Sequence, residues 1–328
     1  MALPALGAVR AAFPGTEIAI AASASVAAIF EEETPAAPDE LIALGSTDTP
    51  ARSRQREQAV LAAGRFDAAL LLPNSFRAAW TARRAGIPER WGYATNLRGW
   101  LLTCAIQRPK ARHLHQSAYY GELVRGLGIE VPESLPRLAV RGETVRRADA
   151  VLAHHGIDRS APIVGFAPGA AYGHAKRWPP RRVADVVVRL TESRRAVCLL
   201  LGAPADRDAG REIESSLPAH VRPVNLIGRT DLRLLAGVLA RCGAFVSNDS
   251  GAMHLAAAIG VPVVAIFGPT DDRVTAPLGD HDVLVHQVFC RPCMLRDCPI
   301  DHRCMRGITA AAVFEAVTRR LERGTLNP

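Results

Sequence analysis

Short apolar runs alternate with amphipathic, helix-like segments along the chain. Seven runs have the length of buried strands, and they occupy residues 16–22, 67–73, 162–169, 196–204, 224–228, 244–249 and 261–268. Segments with helical periodicity lie between them, the clearest at residues 179–193. Strands that alternate with helices form parallel sheets. Each helix carries the chain back to the edge where the previous strand began, so the next strand runs in the same direction. The pattern therefore predicts an α/β protein.

A Pro-rich stretch at residues 131–143 separates two such series. A chain of 328 residues usually exceeds one compact domain. We predict two doubly wound domains, residues 1–140 and 141–328, which face each other across a cleft, with a C-terminal helix near Thr309 to Glu322. Ligands bind beyond the carboxyl ends of the strands in such sheets, so this cleft suits two substrates, one held by each domain.

Residues 1–14 have the pattern of a helix, whereas a doubly wound domain usually opens with a strand and a loop. We therefore expect the N-terminal domain to lack its first strand. The same segment is not expected to be a signal peptide, because it lacks a basic start and contains Arg10, Pro14 and Glu17. No apolar run reaches the roughly 18–20 residues that span a bilayer, so the sequence predicts a cytoplasmic protein.

The charge balance favours anionic partners. Forty Lys and Arg against 32 Asp and Glu give a formal charge of +8, which attracts phosphates or an acidic membrane surface. A merely soluble, basic surface explains the same count equally well. Nucleic acid is not an expected partner, because the basic residues form no run and aromatic residues make up only 5% of the chain.

The run at 244–249 ends in polar residues where a helix is predicted to begin. Ser250 and Gly251 open that helix, so their backbone N–H groups are available to a phosphate, and His254 lies one turn further on. Asp249 would repel a phosphate directly against it, so we assign it to the neutral hydroxyls of a sugar. The alternative is that Asp249 is a helix N-cap and His254 a packed surface side chain.

A second polar segment follows the run at 162–169. Gly169 and Gly173 form a loop, Lys176 follows it, and Pro179 suits the first turn of the next helix. A mobile ammonium on such a loop can neutralise the charge that develops on a departing diphosphate. The alternative is a solvated basic turn. The spacing is not that of a P-loop.

Three ordered segments carry a resemblance to a known family. Residues 168–179, 247–270 and 290–305 closely resemble the heptosyltransferases of lipopolysaccharide core synthesis, glycosyltransferase family 9. The first half is similar to the heptosyltransferase II branch of that family in three stretches, residues 71–80, 84–103 and 113–124. The resemblance thus covers nearly the whole chain.

The resemblance implies a GT-B enzyme made of two Rossmann-like domains. Its C-terminal domain would bind ADP-heptose, and its N-terminal domain would hold the inner core on lipid A. On matching positions, Lys176 would contact the phosphate or the sugar of the donor and Asp249 the heptose hydroxyls, as the two catalytic residues. The basic charge fits such an acceptor and contact with the anionic inner face of the cytoplasmic membrane.

The resemblance extends to further substrate-binding positions. The diphosphate would be bound by three residues, namely Ser250, Gly251 and His254. Asp206 follows an apolar run and would accept hydrogen bonds from the nucleoside, and Gly169 and Asn74 lie in matching stretches that we also assign to substrate binding. No cofactor and no metal ion is implied.

The reaction that the resemblance implies inverts the anomeric carbon. A base deprotonates an acceptor hydroxyl, which attacks as ADP leaves. In the family the base is an Asp in a Gly-Asp loop just before the helix that residues 1–14 match. This sequence lacks that loop: either its start is assigned at an internal methionine, or the chain lacks the strand, the loop and the base. We therefore assign no base. Loss of a general base costs about 10²- to 10⁴-fold in rate.

Four cysteines lie close together in the sequence, at Cys290, Cys293, Cys298 and Cys304, with His302 nearby. Four thiolates can bind zinc or an iron–sulfur cluster, but the spacing matches no common zinc motif, and a local structural cluster is the alternative. Three further cysteines are scattered and fit buried apolar positions: Cys104, Cys198 and Cys242.

Two other functions fit the same fold. A nucleotide-sugar epimerase needs acid and base carboxylates across the cleft and has no acceptor site. A truncated, non-catalytic protein that binds nucleotide sugars needs neither catalytic carboxylates nor an acceptor site. Binding of ADP but not of UDP favours the heptosyltransferase over the epimerase.

Overall fold

The structure, a computed structural model, describes residues 1–45, 50–111, 113–158 and 160–324. The chain divides into two compact units, Met1–Ser134 and Leu135–Pro328, and the division falls within the Pro-rich stretch at 131–143. Among the described residues, no helix combines the length and the apolar character needed to cross a bilayer.

The first unit contains two small parallel sheets. Its strands are β1 (Ala19–Ser23), β2 (Glu40–Leu44), β3 (Ala68–Leu71), β4 (Glu89–Tyr93) and β5 (Cys104–Ile106). Its helices are α1 (Leu3–Ala12), α2 (Ala24–Ala27), α3 (Pro50–Ala63), α4 (Phe76–Arg84) and α5 (Gln116–Arg125). Strand β1 pairs with β2, and β4 lies between β3 and β5. Helix α1 packs on α5 through small apolar side chains, among them Ala5 and Ala8 against Val124.

The second unit is built on one parallel sheet of six strands in the order β11-β10-β9-β6-β7-β8. These strands are β6 (Ile163–Ala167), β7 (Val197–Leu200), β8 (Val224–Asn225), β9 (Ala244–Asn248), β10 (Val263–Phe267) and β11 (His281–Val285). The helices are α6 (Gly142–His154), α7 (Pro180–Arg194), α8 (Arg207–Ser215), α9 (Leu232–Leu239), α10 (Gly251–Ile259), α11 (Asp272–Thr275), α12 (Arg303–Arg306) and α13 (Ala310–Gly324).

The centre of this sheet is buried on both faces. Every residue of β6, β9 and β10 is buried, as expected for parallel strands covered by helices on each side. The main apolar core joins these strands to α7 and α13, with Phe166, Val187 and Val317 among its members. The carboxyl ends of β6, β9 and β10 therefore lie side by side at one edge of the sheet.

Most of the predicted elements are present. Each of the seven apolar runs overlaps a strand, the helix predicted at 1–14 is α1, and the predicted C-terminal helix is α13. Helix α7 begins at Pro180, and Pro179, which the sequence placed in the first turn, is its N-cap residue. Four strands were not predicted, namely β2, β4, β5 and β11.

Candidate functional site

The polar residues singled out in the sequence lie between the end of β9 and the start of α10. Strand β9 ends at Asn248, Asp249 follows, and α10 begins at Gly251 with Ser250 as its N-cap residue. Only 2% of Asn248 and 8% of Asp249 is exposed. Because buried polar groups need hydrogen-bond partners, the contacts of these two side chains define the local structure.

Asn248 fixes the loop that carries Lys176. Its amide nitrogen donates to the carbonyl oxygens of Pro168 at 2.8 Å and Gly169 at 3.1 Å. Its amide oxygen accepts from the backbone N–H of Trp178 at 3.2 Å. Both ends of the loop at 168–178 are thus bound to the end of β9 through one side chain.

Lys176 and Asp249 form a buried ion pair. Lys176 ends a short 3₁₀ turn, and its Nζ donates to Asp249 Oδ2 at 2.5 Å. The hydroxyl of Thr270, which follows β10, donates to the same oxygen at 2.8 Å. Only 11% of the Lys176 side chain is exposed. The sequence predicted a mobile ammonium, whereas the structure holds it against a carboxylate.

An aromatic ring further confines Lys176. Its Nζ lies 4.6 Å from the centre of the Tyr172 ring, and the guanidinium carbon of Arg296 lies 5.3 Å from that ring. The Tyr172 hydroxyl donates to the carbonyl oxygen of Met294 at 2.9 Å. Cation–π contacts of this kind favour a positive charge at each position.

The loop also packs closely against the cysteine-rich segment, residues 290–304. The Ala175 N–H donates to the carbonyl oxygen of Arg296 at 2.9 Å. A Cβ atom placed on Gly173 would come within 2.3 Å of that same oxygen, so only glycine permits this approach. The segment is therefore part of the structure that positions Lys176.

The first turn of α10 presents free space at its N-terminus. The Ser250 side chain makes no capping hydrogen bond and instead lies 3.0 Å from the Ser247 hydroxyl. A Cβ on Gly251 would meet no atom within 4 Å. His254 is half-buried in the same turn. An N-terminus of this kind attracts anions through its N–H groups and its positive dipole end.

Asp206 lies beside the same loop. It is buried, its Oδ2 accepts from the Ala203 N–H at 3.0 Å, and its Oδ1 lies 3.7 Å from Arg177 Nη2. A Cβ on Gly169 would come within 2.1 Å of the Asp206 carboxyl. The absence of a side chain at Gly169 therefore makes room for Asp206.

Asn74 belongs to the first unit, whereas the residues described above belong to the second. Its amide nitrogen donates to the Tyr119 hydroxyl at 2.8 Å, and its backbone carbonyl accepts from Asn96 at 2.9 Å. Its amide oxygen is buried and has no hydrogen-bond partner among the described residues.

The thiols of the cysteine-rich segment are free. Burial raises the pKa of the Cys304 thiol, and the neighbouring thiols of Cys290, Cys293 and Cys298 raise it further. In the parts of the chain that the structure describes, no group of three or more His, Cys, Asp or Glu side chains is arranged to hold a metal ion.

The second unit thus brings together seven of the eight predicted site residues, namely Gly169, Lys176, Asp206, Asp249, Ser250, Gly251 and His254. Their roles toward a ligand stay predictions. Thr270, Tyr172 and Arg296 also belong to this site and were not predicted from the sequence. Thr270 carried a usable signal, since it follows a predicted strand, as ligand-binding residues do in such sheets. Tyr172 reaches a residue 122 positions away, and no local pattern reports such a contact.

Comparison with known proteins adds relatives along most of the chain. Lipooligosaccharide heptosyltransferase 2 of Haemophilus influenzae is 34% identical over 233 residues, which cover 68% of this chain and 66% of that protein. Lipopolysaccharide heptosyltransferase 2 of Escherichia coli is 35% identical over 224 residues, which cover 65% of this chain and 63% of that protein. The aligned regions thus span slightly less than two thirds of these relatives.

A solved structure and a family description agree with these relatives. The structure of Escherichia coli ADP-heptose lps heptosyltransferase II is similar with a TM-score of 0.80 and 27% identity, over 98% of this chain and 95% of that one. This likeness confirms the GT-B fold class predicted from the sequence. The description of glycosyltransferase family 9 (heptosyltransferase) matches residues 54–303. The chain therefore belongs to glycosyltransferase family 9, the heptosyltransferase family.

Proposed function

We propose that this chain transfers heptose from ADP-heptose to the inner core of lipopolysaccharide. Family membership supports glycosyl transfer, and the names of the relatives supply heptose as the group and ADP-heptose as the donor. The observation that carries the proposal is the buried pair of Lys176 and Asp249 beside the N-terminus of α10. It sets a cation, a carboxylate and free backbone N–H groups side by side.

Each of these groups matches a part of the donor. The backbone N–H groups at Ser250 and Gly251 bind the diphosphate, as helix N-termini bind anions. Lys176 neutralises the charge that grows on ADP as the bond to the anomeric carbon breaks. Asp249, an acceptor of hydrogen bonds, binds the hydroxyls of the heptose.

The transfer exchanges one bond for another. An acceptor hydroxyl oxygen bonds to the anomeric carbon on the face opposite the diphosphate, the carbon–oxygen bond to ADP breaks, and the configuration inverts. The hydroxyl proton passes to a base to which we assign no residue. Asp206 would accept from the nucleoside and His254 would donate to the diphosphate.

We assign the acceptor to the first unit. Asn74 supports this assignment, because its buried amide oxygen accepts no hydrogen bond from the described residues and suits a donor on a ligand. An acceptor anchored on lipid A places the enzyme at the cytoplasmic face of the inner membrane, where the net charge of +8 favours contact with anionic lipids.

Two measurements on the purified chain test the proposal. Calorimetry should detect binding of ADP and not of UDP, and incubation with ADP-heptose and an inner-core acceptor on lipid A should release ADP and extend the acceptor by one heptose. An epimerase would bind UDP and change a nucleotide sugar without any acceptor. Binding of UDP, or a change in a nucleotide sugar without any acceptor, would refute the transfer.

One substitution tests the position of the diphosphate. Gly251→Ala adds a methyl group that meets no protein atom, so the fold should be unchanged while the affinity for ADP falls about tenfold or more. The matched control is Gly142→Ala, which changes the first residue of α6, where a Cβ makes only an ordinary contact at 3.4 Å. Equal ADP affinity in both variants would place the diphosphate elsewhere.

A further inference from the structure

The first unit exposes a group of large apolar side chains on α4 and on the loop after β4. We call it the aromatic surface, and its members are Phe76, Trp80, Leu97 and Trp100. Leu97 is 90% exposed and Trp100 is 61% exposed, while Phe76 and Trp80 are exposed on one side of α4. A grouped apolar surface on a water-soluble fold indicates a contact site, whereas single exposed residues do not.

The three rings of this surface touch one another. The centres of Phe76 and Trp80 lie 6.1 Å apart, those of Phe76 and Trp100 6.3 Å apart, and those of Trp80 and Trp100 6.5 Å apart. These distances are typical of packed aromatic pairs. The rings thus form one platform although they come from two elements.

A buried arginine holds the two elements in place. Arg98, which is fully buried, donates from Nε to the Tyr93 carbonyl oxygen at 3.0 Å and from Nη1 to the carbonyl oxygens of Pro73 and Ser75. Ser75 is the N-cap residue of α4, and Arg98 lies between Leu97 and Trp100 in sequence. Burial of the Arg98 guanidinium costs free energy, and its hydrogen bonds fix the loop on which the apolar side chains of Leu97 and Trp100 are exposed.

The surroundings of the aromatic surface are basic. Residues 74–103 contain five arginines and one glutamate, and three of these arginines are exposed, at Arg77, Arg83 and Arg84. The Arg83 guanidinium lies 5.6 Å from the centre of the Trp100 ring. Arg77 pairs with Glu57 at 2.6 Å, so the free positive charge belongs mainly to Arg83 and Arg84.

The neighbouring helix adds to this charge. Helix α3 packs against α4 and carries three further exposed arginines, at Arg52, Arg54 and Arg56. Two copies of so basic a surface repel each other, which disfavours a dimer through this face. Indole rings with arginines beside them instead suit the boundary between lipid headgroups and acyl chains, where the rings enter the apolar layer and the guanidinium groups meet phosphates.

We propose that the aromatic surface inserts into the interface of an anionic phospholipid bilayer, with Arg83 and Arg84 on the headgroup phosphates. The proposal deepens the membrane contact that is part of the proposed function and rests on it in that respect, but it does not depend on the transfer reaction, since phospholipid alone is the partner. It names the side chains by which the first unit meets the membrane.

Vesicles without any saccharide test the proposal independently of the enzyme activity. The full chain should sediment with vesicles that contain phosphatidylglycerol, and less with vesicles of phosphatidylcholine alone. Brominated acyl chains should quench the tryptophan emission of the wild type, because Trp80 and Trp100 would enter the acyl region while Trp178 is buried in the second unit.

Substitutions then locate the contact. The double variant Leu97→Ser with Trp100→Ser should bind phosphatidylglycerol vesicles about tenfold or more weakly. Arg83→Gln and Arg84→Gln should each weaken this binding roughly fivefold and reduce its dependence on salt. The matched control is Phe289→Ser in the second unit, an exposed ring with Arg303 at 5.3 Å, and it should bind like the wild type.

The altered side chains at Leu97 and Trp100 are exposed, so thermal unfolding of their variants should match the wild type and exclude a loss of fold. The proposal is overturned if the wild type does not sediment with anionic vesicles, or if the double variant sediments as the wild type does. It is also overturned if brominated lipid leaves the emission unchanged, or if sedimentation equilibrium shows a dimer that the double variant abolishes while vesicle binding persists.

Discussion

At the scale of single residues, the balance of charge around Asp249 dominates the site. Its Oδ2 accepts from Lys176 and Thr270, and both charged side chains are almost fully removed from water. Burial of an ion pair gives little net stability, but removal of one partner leaves the other charge buried alone. The contribution of each residue to the stability of the fold therefore depends on the presence of the other.

We expect a double-mutant cycle to show this dependence. Lys176→Met and Asp249→Asn should each lower the free energy of unfolding by about 3–5 kcal/mol, and the double variant should lose about 1.5–3 kcal/mol less than the sum. All three variants should lose heptose transfer. Urea unfolding and a transfer assay measure the two effects.

The control for this cycle is the ion pair of Arg147 and Asp231. Its two charged atoms lie 2.8 Å apart, but about half of each side chain is exposed. Its coupling energy should stay below about 1 kcal/mol. Equal coupling in the two cycles would mean that Lys176 and Asp249 do not form a buried pair in solution.

Asn248 gives a second residue-scale prediction. Asn248→Asp removes two donors to carbonyl oxygens and buries a carboxylate beside them, which should cost roughly 3 kcal/mol or more of stability. The control Asn225→Asp makes the same chemical change where the amide oxygen accepts from the Ile227 N–H at 3.0 Å, a role that a carboxylate keeps. Similar melting temperatures for the two variants would contradict the role of Asn248 as a donor.

Local sequence predicted part of this network and could not predict the rest. Asp249, Ser250 and Lys176 follow apolar runs, and the carboxyl ends of parallel strands share one edge, so their proximity follows from the pattern. The pairing of Lys176 with Asp249 does not follow from it, because the direction of a long side chain depends on its neighbours. Here that neighbour is Tyr172, whose ring also contacts Arg296, and no strand pattern identifies either residue.

At the scale of elements, Arg10 joins α1 to the first sheet. Its guanidinium donates to the Thr16 and Ala37 carbonyl oxygens at 2.9 and 3.0 Å and to Asp39 Oδ2 at 2.5 Å. The Ile18 N–H donates to the same Asp39 oxygen at 2.8 Å. The Ile18 N–H, and then Arg10, hold the pKa of Asp39 below its ordinary value of 3.8.

The lowered pKa of Asp39 gives a pH prediction with a definite sign. Its contribution to stability is present above about pH 4 and is lost as the pH falls through the folded-state pKa. Asp39→Asn should therefore lower the melting temperature at neutral pH, and the difference from the wild type should shrink in acid. Glu122→Gln, which breaks an exposed helical pair with Arg125, is the control and should change little. A constant difference across this range would refute the prediction.

The predicted and missed elements differ in a physical way. Strands β6, β9 and β10 are buried on both faces, so their sequences are continuous apolar runs that stand out. Strand β4, by contrast, reads Glu-Arg-Trp-Gly-Tyr, and β5 has only three residues. Strands such as β4 and β5 are defined by their hydrogen bonds to neighbouring strands. The pattern of hydrophobic residues does not reveal those hydrogen bonds, so it does not predict these strands.

At the scale of the whole molecule, the second unit has its own apolar core and its own complete sheet. A fragment of residues 135–328 should therefore unfold cooperatively by itself and bind ADP with the affinity of the full chain, but it should not transfer heptose. Residues 1–134 should bind no ADP. Calorimetry on both fragments checks this, and ADP binding that needs both fragments would contradict a donor site built by the second unit alone.

The contact of Gly173 and Tyr172 with residues 294–296 has one more consequence. Residues 294–296 hold the loop that carries Lys176, although they lie more than a hundred positions downstream of it in the sequence. Insertions or deletions in that stretch should displace Lys176 from Asp249 while the sheet stays intact. The position of the lysine is thus sensitive to substitutions that no local reading of the sequence around it would single out.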